Sequence, residues 1–289
     1  MHDHDLGLSA DLERMLAQPA GRRQSLRWLL AGIGAGAGLL PLAGCGGSSS
    51  DGSYGISTST TTTTGSGSTG STSASCAVIP EETGGPYPGD GTNGNANGVA
   101  NALVLSGIVR SDIRASIAGA SGVAAGVPLT IRLQLVNVAG GCTLAPGAAL
   151  YLWHCTREGG YSMYSNGIVG ENYLRGVQEA DSEGWVTFTT IFPGCYDGRM
   201  PHVHFEVYPS LAKAGSAANR VKTSQFTFPM ATLNEAYTAS GYGSSVSNLS
   251  RISYATDNVF SDGTSLQMAS VTGNATQGYV ATLVVGVSL

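Results

Sequence analysis

From residue 101 onward, Gly, Pro and Asn cut the chain into short runs that are apolar or alternate apolar with polar, and none carries the sustained period of a long helix. No other feature of the sequence limits the fold so strongly. "LTIRLQL" places Leu129, Ile131, Leu133 and Leu135 on one face of a strand, because successive strand side chains point to opposite faces. Comparable strands are expected at "ALYLWHC" (149–155), "WVTFTTIF" (185–192), "HVHFEVY" (202–208), "TSQFTFP" (223–229) and "YVATLVVGV" (279–287). Helix is expected only in "TLNEAYTAS" (232–240) and "PSLAKAG" (209–215), both short. The expected fold is all-β, a two-sheet antiparallel β-sandwich with short helices and long loops.

The first 75 residues do not share this pattern. Arg22 and Arg23 precede a Gly-rich, moderately apolar stretch from Trp28 to Gly44, which ends in Leu42-Ala43-Gly44-Cys45. Paired arginines, a weak apolar segment and small residues before a cysteine form the pattern of a twin-arginine export signal with a lipoprotein processing site. An uncleaved anchor is the alternative, but the stretch is shorter than the ~20 apolar residues a bilayer needs. Residues 1–45 are therefore expected to be an export signal with Cys45 as the lipid acceptor. Residues 46–75, almost entirely Gly, Ser and Thr, are expected to be a solvated tether. The folded domain is expected to span 76–289. Such a protein would be exported across a bacterial cytoplasmic membrane and lipid-anchored on its periplasmic or outer side.

A net charge of −5, with no basic patch, argues against a nucleic-acid partner. Beyond Cys45, four cysteines remain: Cys76, Cys142, Cys155 and Cys195. In an exported domain they predict two disulfides, in any of three connectivities. A cysteine zinc site is the alternative, and no CxxC spacing supports it.

Two of the five histidines fall one residue apart in "RMPHVHFEVY". On a strand, His202, His204 and Glu206 share one face while Val203, Phe205 and Val207 share the other. Two such imidazoles can converge on a metal ion, although histidines also occupy solvated strand faces. Glu206 is the one carboxylate near enough in sequence to join them. Tyr196, just before the pair, and Tyr161, after another strand, suggest phenolate donors, which favour a hard trivalent ion over zinc.

Several motifs in order resemble the intradiol ring-cleaving dioxygenases, such as catechol and protocatechuate dioxygenases. They are "IPEETGGPYP", "LYLWHCTREGGYS", "LRGVQEADSEGWVTFTTIFPGCYDGRMPHVHFEV", "TSQFTFP" and "YATDNVFSDG", spread over residues 76–289. The chain is most similar to exported, single-domain members, without the N-terminal helical dimerisation segment of the cytosolic catechol enzymes. The resemblance implies Fe(III) as cofactor, held by Tyr161, Tyr196, His202 and His204. It implies Tyr196 as the axial ligand and proton acceptor, Arg199 as the catalytic arginine, Gln225 as a supporting residue, and Pro86 and Tyr87 as substrate-pocket residues. The implied reaction is intradiol cleavage of a catechol-type diol by O2 to a cis,cis-muconate-type diacid.

Two other functions compete with this one. The first is a zinc-dependent hydrolase using His202, His204 and Glu206, and the second is a non-catalytic exported binding module. Arg199 has the simpler alternative of a salt bridge, and Pro86, Tyr87 and Gln225 that of packing. The sequence leaves open which catechol is cleaved and the oligomeric state.

Overall fold

The computed structural model describes residues 77–289. The export signal, Cys45, the 46–75 tether and Cys76 all lie outside the described residues. In chain order the strands are β1 (Asp90–Asn95), β2 (Gly98–Asn101), β3 (Pro128–Asn137), β4 (Thr143–Leu144), β5 (Ala149–Trp153), β6 (Arg175–Glu179), β7 (Trp185–Ile191), β8 (His202–Tyr208), β9 (Lys222–Thr227), β10 (Ser270–Asn274) and β11 (Gly278–Val287). The helices are α1 (Met230–Ala236) and α2 (Gly243–Leu249). No helix among the described residues is long and apolar enough to cross a membrane.

Every strand expected from the apolar runs forms, and the expected helix at 232–240 forms as α1. The one at 209–215 is reduced to a 3-10 turn, Leu211–Lys213. The apolar runs did not mark β1, β2, β4, β6 or β10, nor α2. The hairpin of β1 and β2, "DGTNGN" and "GVAN", is polar and Gly-rich, and α2, "GSSVSNL", has no apolar stripe. These segments are held by tertiary contacts and hydrogen bonds rather than by propensity.

Two sheets pack face to face. One orders β10-β11-β3-β4 with β7 also on β3, and the other orders β6-β5-β8-β9. Pairing is antiparallel throughout, except that β3 and β11 run parallel, from Leu129 beside Tyr279 to Asn137 beside Val287. Ile131, Leu133 and Leu135 of β3, with Val186 and Phe188 of β7, face Leu150 and Leu152 of β5 and Val203, Phe205 and Val207 of β8. All of these are buried, and together they form the main core. Burying each such side chain stabilises the fold by about 1.5–3 kcal/mol.

The opposite face of the β5-β8 sheet is not solvated either. Ala149, Tyr151 and Trp153 of β5 lie under Ala102, Leu103, Ile108 and Tyr161, which form a second apolar cluster. Every residue of β8 is consequently buried. The long loops form a roof over one sheet, and the candidate site lies beneath it.

The cysteines correct an expectation. Cys142 is disulfide-bonded, but Cys155 and Cys195 are buried free thiols, so two disulfides do not form among the four. Each free thiol points at backbone instead: Cys155 Sγ donates to the Gly194 carbonyl at 3.4 Å and Cys195 Sγ to that of Arg199 at 3.4 Å.

Candidate active site

Strand register sets the centre of the site. In the antiparallel ladders His204 of β8 lies directly opposite Trp153 of β5 and Gln225 of β9, so the three side chains form a row across one face. The His204 ring stacks on Trp153, with centroids 4.8 Å apart and planes 3° from parallel. His202, two residues before, shares that face. Its Nδ1 lies 2.6 Å from the Met200 carbonyl, which only accepts, so Nδ1 carries the proton and the Nε2 lone pair faces the site.

Two loops bring in the phenols. The turn after β5 closes through Thr156 N donating to the Gly160 carbonyl and Tyr161 N donating to Ser165 Oγ. It docks on the loop before β8, where Gly194 N donates to the Thr156 carbonyl. Gly159 is required at this contact. Its φ is +91°, and a Cβ there would sit 2.9 Å from Cβ of Tyr196. α2 braces the same loop from behind, with Ser245 Oγ accepting from Cys195 N and Asn248 Nδ2 donating to the Cys195 carbonyl.

The result is a convergence of donors around His202 Nε2. Tyr196 Oη lies 3.3 Å away, Tyr161 Oη 3.4 Å and His204 Nε2 3.0 Å. Burial lowers the basicity of both imidazoles, followed by the Arg199 charge for His202 and by His202 itself for His204, so both rings are neutral. Burial, then Tyr196, pushes the Tyr161 hydroxyl well above the usual phenol range. Only a strongly charged cation would hold it as phenolate. His204 Nδ1 is buried without a hydrogen-bond partner. Two facing imidazole nitrogens and two phenols at these distances fit a hard cation better than a closed hydrogen-bond network.

Arg199 is buried beside this cluster. Its Nε donates to Asp257 Oδ2 at 3.0 Å and its Nη2 to Gln225 Oε1 at 2.8 Å, while Nη1 has no partner. Gln225 in turn donates through Nε2 to the Thr83 carbonyl, tying the 79–88 loop to the arginine. The Tyr87 ring lies 4.9 Å from that of Tyr161 and 5.2 Å from that of Tyr164. The Pro86 carbonyl accepts from Asn93 Nδ2, which fixes that turn against β1. At Gly85 a Cβ would come within 3.4 Å of His204 Cε1, so backbone approaches the imidazole closely there.

Glu206 takes no part in this cluster. Its Oε2 accepts from Tyr208 Oη at 2.6 Å, and Oε1 lies 3.6 Å from Arg220 Nε. Burial, then the charge of Asp90, raises its carboxyl to about 8. Among the described residues no three His, Cys, Asp or Glu side chains are gathered to hold a metal, so the carboxylate does not complete a set with the histidine pair.

Residues 111–222 match the family described as Dioxygenase. An intradiol ring-cleavage dioxygenase from Tetranychus urticae has a similar structure, at 24% identity over 74% of this chain and 95% of that one, with a TM-score of 0.56. The segment is thus similar to a dioxygenase family, and the chain has the fold of an intradiol dioxygenase. The dioxygenase domain of a dioxygenase and carbohydrate-binding protein fusion from Streptomyces sp. SirexAA-E is also similar, at 22% identity, 74% and 99% coverage and a TM-score of 0.45. No curated protein matches the chain. The matched segment contains Tyr161, Tyr196, Arg199, His202 and His204, while Pro86, Tyr87, Gln225 and Asp257 reach the same site from outside it.

Two residues of the candidate site had no assigned role in the sequence. Asp257 stands in the quoted motif "YATDNVFSDG", which was the only signal for it. Arg175, first residue of β6, is buried. Its guanidinium donates to the carbonyls of Tyr87, Pro88 and Ser162, to Ser162 Oγ and to Tyr151 Oη. It joins the Tyr87 loop to the Tyr161 loop, a role that a lone arginine in "LRGVQE" does not announce.

Proposed function

We propose that the domain is a non-haem ferric dioxygenase that cleaves a catechol-type diol between its two oxygen-bearing carbons, giving a cis,cis-muconate-type diacid. The observation that carries this reading is the convergence of Tyr161 Oη, Tyr196 Oη and His204 Nε2 on His202 Nε2, with a buried guanidinium alongside. These four side chains would hold the iron. Fe(III) there would act as a Lewis acid that draws charge from a bound catecholate and makes the ring reactive toward O2.

The chain's own residues would do the rest. Tyr196 Oη, at the end of a loop rather than on a strand, accepts a catechol proton. Arg199 Nη1, with no protein partner, is the donor available to negative charge that develops on the substrate, and its burial strengthens that interaction. Tyr87 and Trp153 keep the surroundings apolar. Arg175 and Gln225 hold the roof in place.

The export reading belongs to the same proposal. It rests on Arg22-Arg23, the apolar segment from Trp28 and the small residues before Cys45, with residues 46–75 as a tether that leaves the domain clear of the membrane surface. In a bacterial host the chain should partition with membranes, and Cys45→Ala should release it.

The deciding experiment is a visible spectrum and metal analysis of the purified protein, followed by oxygen uptake with a panel of catechols. The expected result is one iron per chain, a red-brown tyrosinate band that changes on catechol binding, and a diacid product. A colourless protein holding zinc would overturn the proposal.

A further inference from the structure

We propose that Asp257 is the positioning residue of this site, one buried carboxylate that sets both the Arg199 guanidinium and the His202 ring. This deepens the ferric dioxygenase reading and rests on it. Four donors meet the carboxylate, and they divide by oxygen. Oδ1 accepts from Val259 N at 2.8 Å and Phe260 N at 3.0 Å, closing the turn in which Asp257 itself stands. Oδ2 faces the other way and accepts from Arg199 Nε at 3.0 Å and Met200 N at 2.7 Å, across a separation of 58 residues for the arginine.

Both outward bonds lead to the site. With Nε on Asp257 and Nη2 on Gln225, two edges of the planar guanidinium are fixed and Nη1 remains for substrate. Met200 takes the other bond: its N–H points at Oδ2, while its carbonyl, in the following peptide to Pro201, accepts from His202 Nδ1 at 2.6 Å. Fixing Met200 at its N–H holds in place the residue whose carbonyl orients the ring. Asp257 and Arg199 are both fully buried, so neither side chain has water to replace a lost partner.

An amide in place of the carboxylate can serve only one side. In Asp257→Asn, if the oxygen keeps the turn, an NH2 meets Arg199 Nε–H and Met200 N–H, donor against donor. The arginine then loses its orientation while every atom of it remains.

The first measurement needs neither iron nor a variant. In the metal-free protein the Arg199 Nε proton should exchange with solvent far more slowly than those of exposed Arg114 and Arg251, and equal exchange would overturn the proposal. In the iron-loaded enzyme, Asp257→Asn should keep its iron and lower kcat by about 10²-fold with KM little changed, the scale of a small misplacement at a reacting centre. The Asp257→Asn/Arg199→Ala double variant should be no slower than Arg199→Ala alone. If the two losses multiply instead, Asp257 acts independently of the arginine and the assignment is wrong. A wild-type protein that takes no iron and cleaves no catechol would remove the dioxygenase reading, while the exchange measurement would still judge the Asp257–Arg199 strut.

Discussion

The two faces of β8 are built on opposite principles. Val203, Phe205 and Val207 lie in a broad apolar cluster with contributions from both sheets, where each contact is non-directional and shared among many neighbours. His202, His204 and Glu206, on the other face, are equally buried but depend on a few directional partners each, among them a carbonyl, a stacked indole and a tyrosine hydroxyl. Losing one partner on the core face removes a fraction of the packing. On the site face, the same loss removes a large share of what orients a side chain. A core face can therefore be assembled from neighbouring strands alone, whereas the site face needs the roof loops, the arginine struts and the distant Asp257 turn.

This contrast can be broken most severely at the histidines. His204→Ala should lower iron affinity by more than about 100-fold, beyond the range for removing a ligand's supporting partner, while the melting temperature of the metal-free protein falls little. Iron titration against thermal unfolding checks it, and retention of one iron per chain would contradict the ligand assignment. Phe205→Ala, one residue away on the other face, should do the reverse. We expect about 3–5 kcal/mol lost from unfolding free energy by denaturant titration, with the folded fraction still binding iron stoichiometrically.

Arg175→Met sharpens the comparison because it tests the roof rather than either face. At least one carbonyl of Tyr87, Pro88 or Ser162 is then buried without a donor, at a cost of about 1–3 kcal/mol. The 84–89 and 161–163 segments should become protease-sensitive and KM for catechol should rise; an unchanged KM with intact loops would show that the strut is dispensable. The smallest effect concerns the free thiols. Burial raises Cys155 to about 12, with Cys195 next, and raises Cys195 to about 12, with Asp197 next. At pH 8 the thiolate fraction of each is on the order of 10⁻⁴. A disulfide-exchange reagent should thus leave both untouched in the native protein and titrate both in denaturant. Rapid native-state reaction would place them at the surface.

Much of the fold was legible because the core strands carry their evidence locally. "LTIRLQL" and "HVHFEVY" alternate with the period of a strand, and both form at the expected positions. The β1-β2 hairpin and α2 were not legible, since their sequences hold no apolar period and their stability comes from segments far away. The thiols mislead for a related reason. Composition and compartment suggest pairing, but geometry decides it, and each of Cys155 and Cys195 is turned toward a backbone carbonyl.

The candidate site divides along the same line. The amino-acid order alone determined which residue types are available: two imidazoles on one strand face, phenols in the flanking loops and an arginine three residues before His202. Periodicity and spacing are properties of neighbouring residues, and they survive in the order of the chain. What tertiary structure decided is the set of distances: Tyr161 and Tyr196 meeting across Gly159, Glu206 turned to Tyr208 and Arg220, and Asp257 seated on Arg199 and Met200. Those contacts join residues tens of positions apart and arise only when both sheets and the roof are packed, because a buried hydrogen bond needs its partner delivered from elsewhere in the fold.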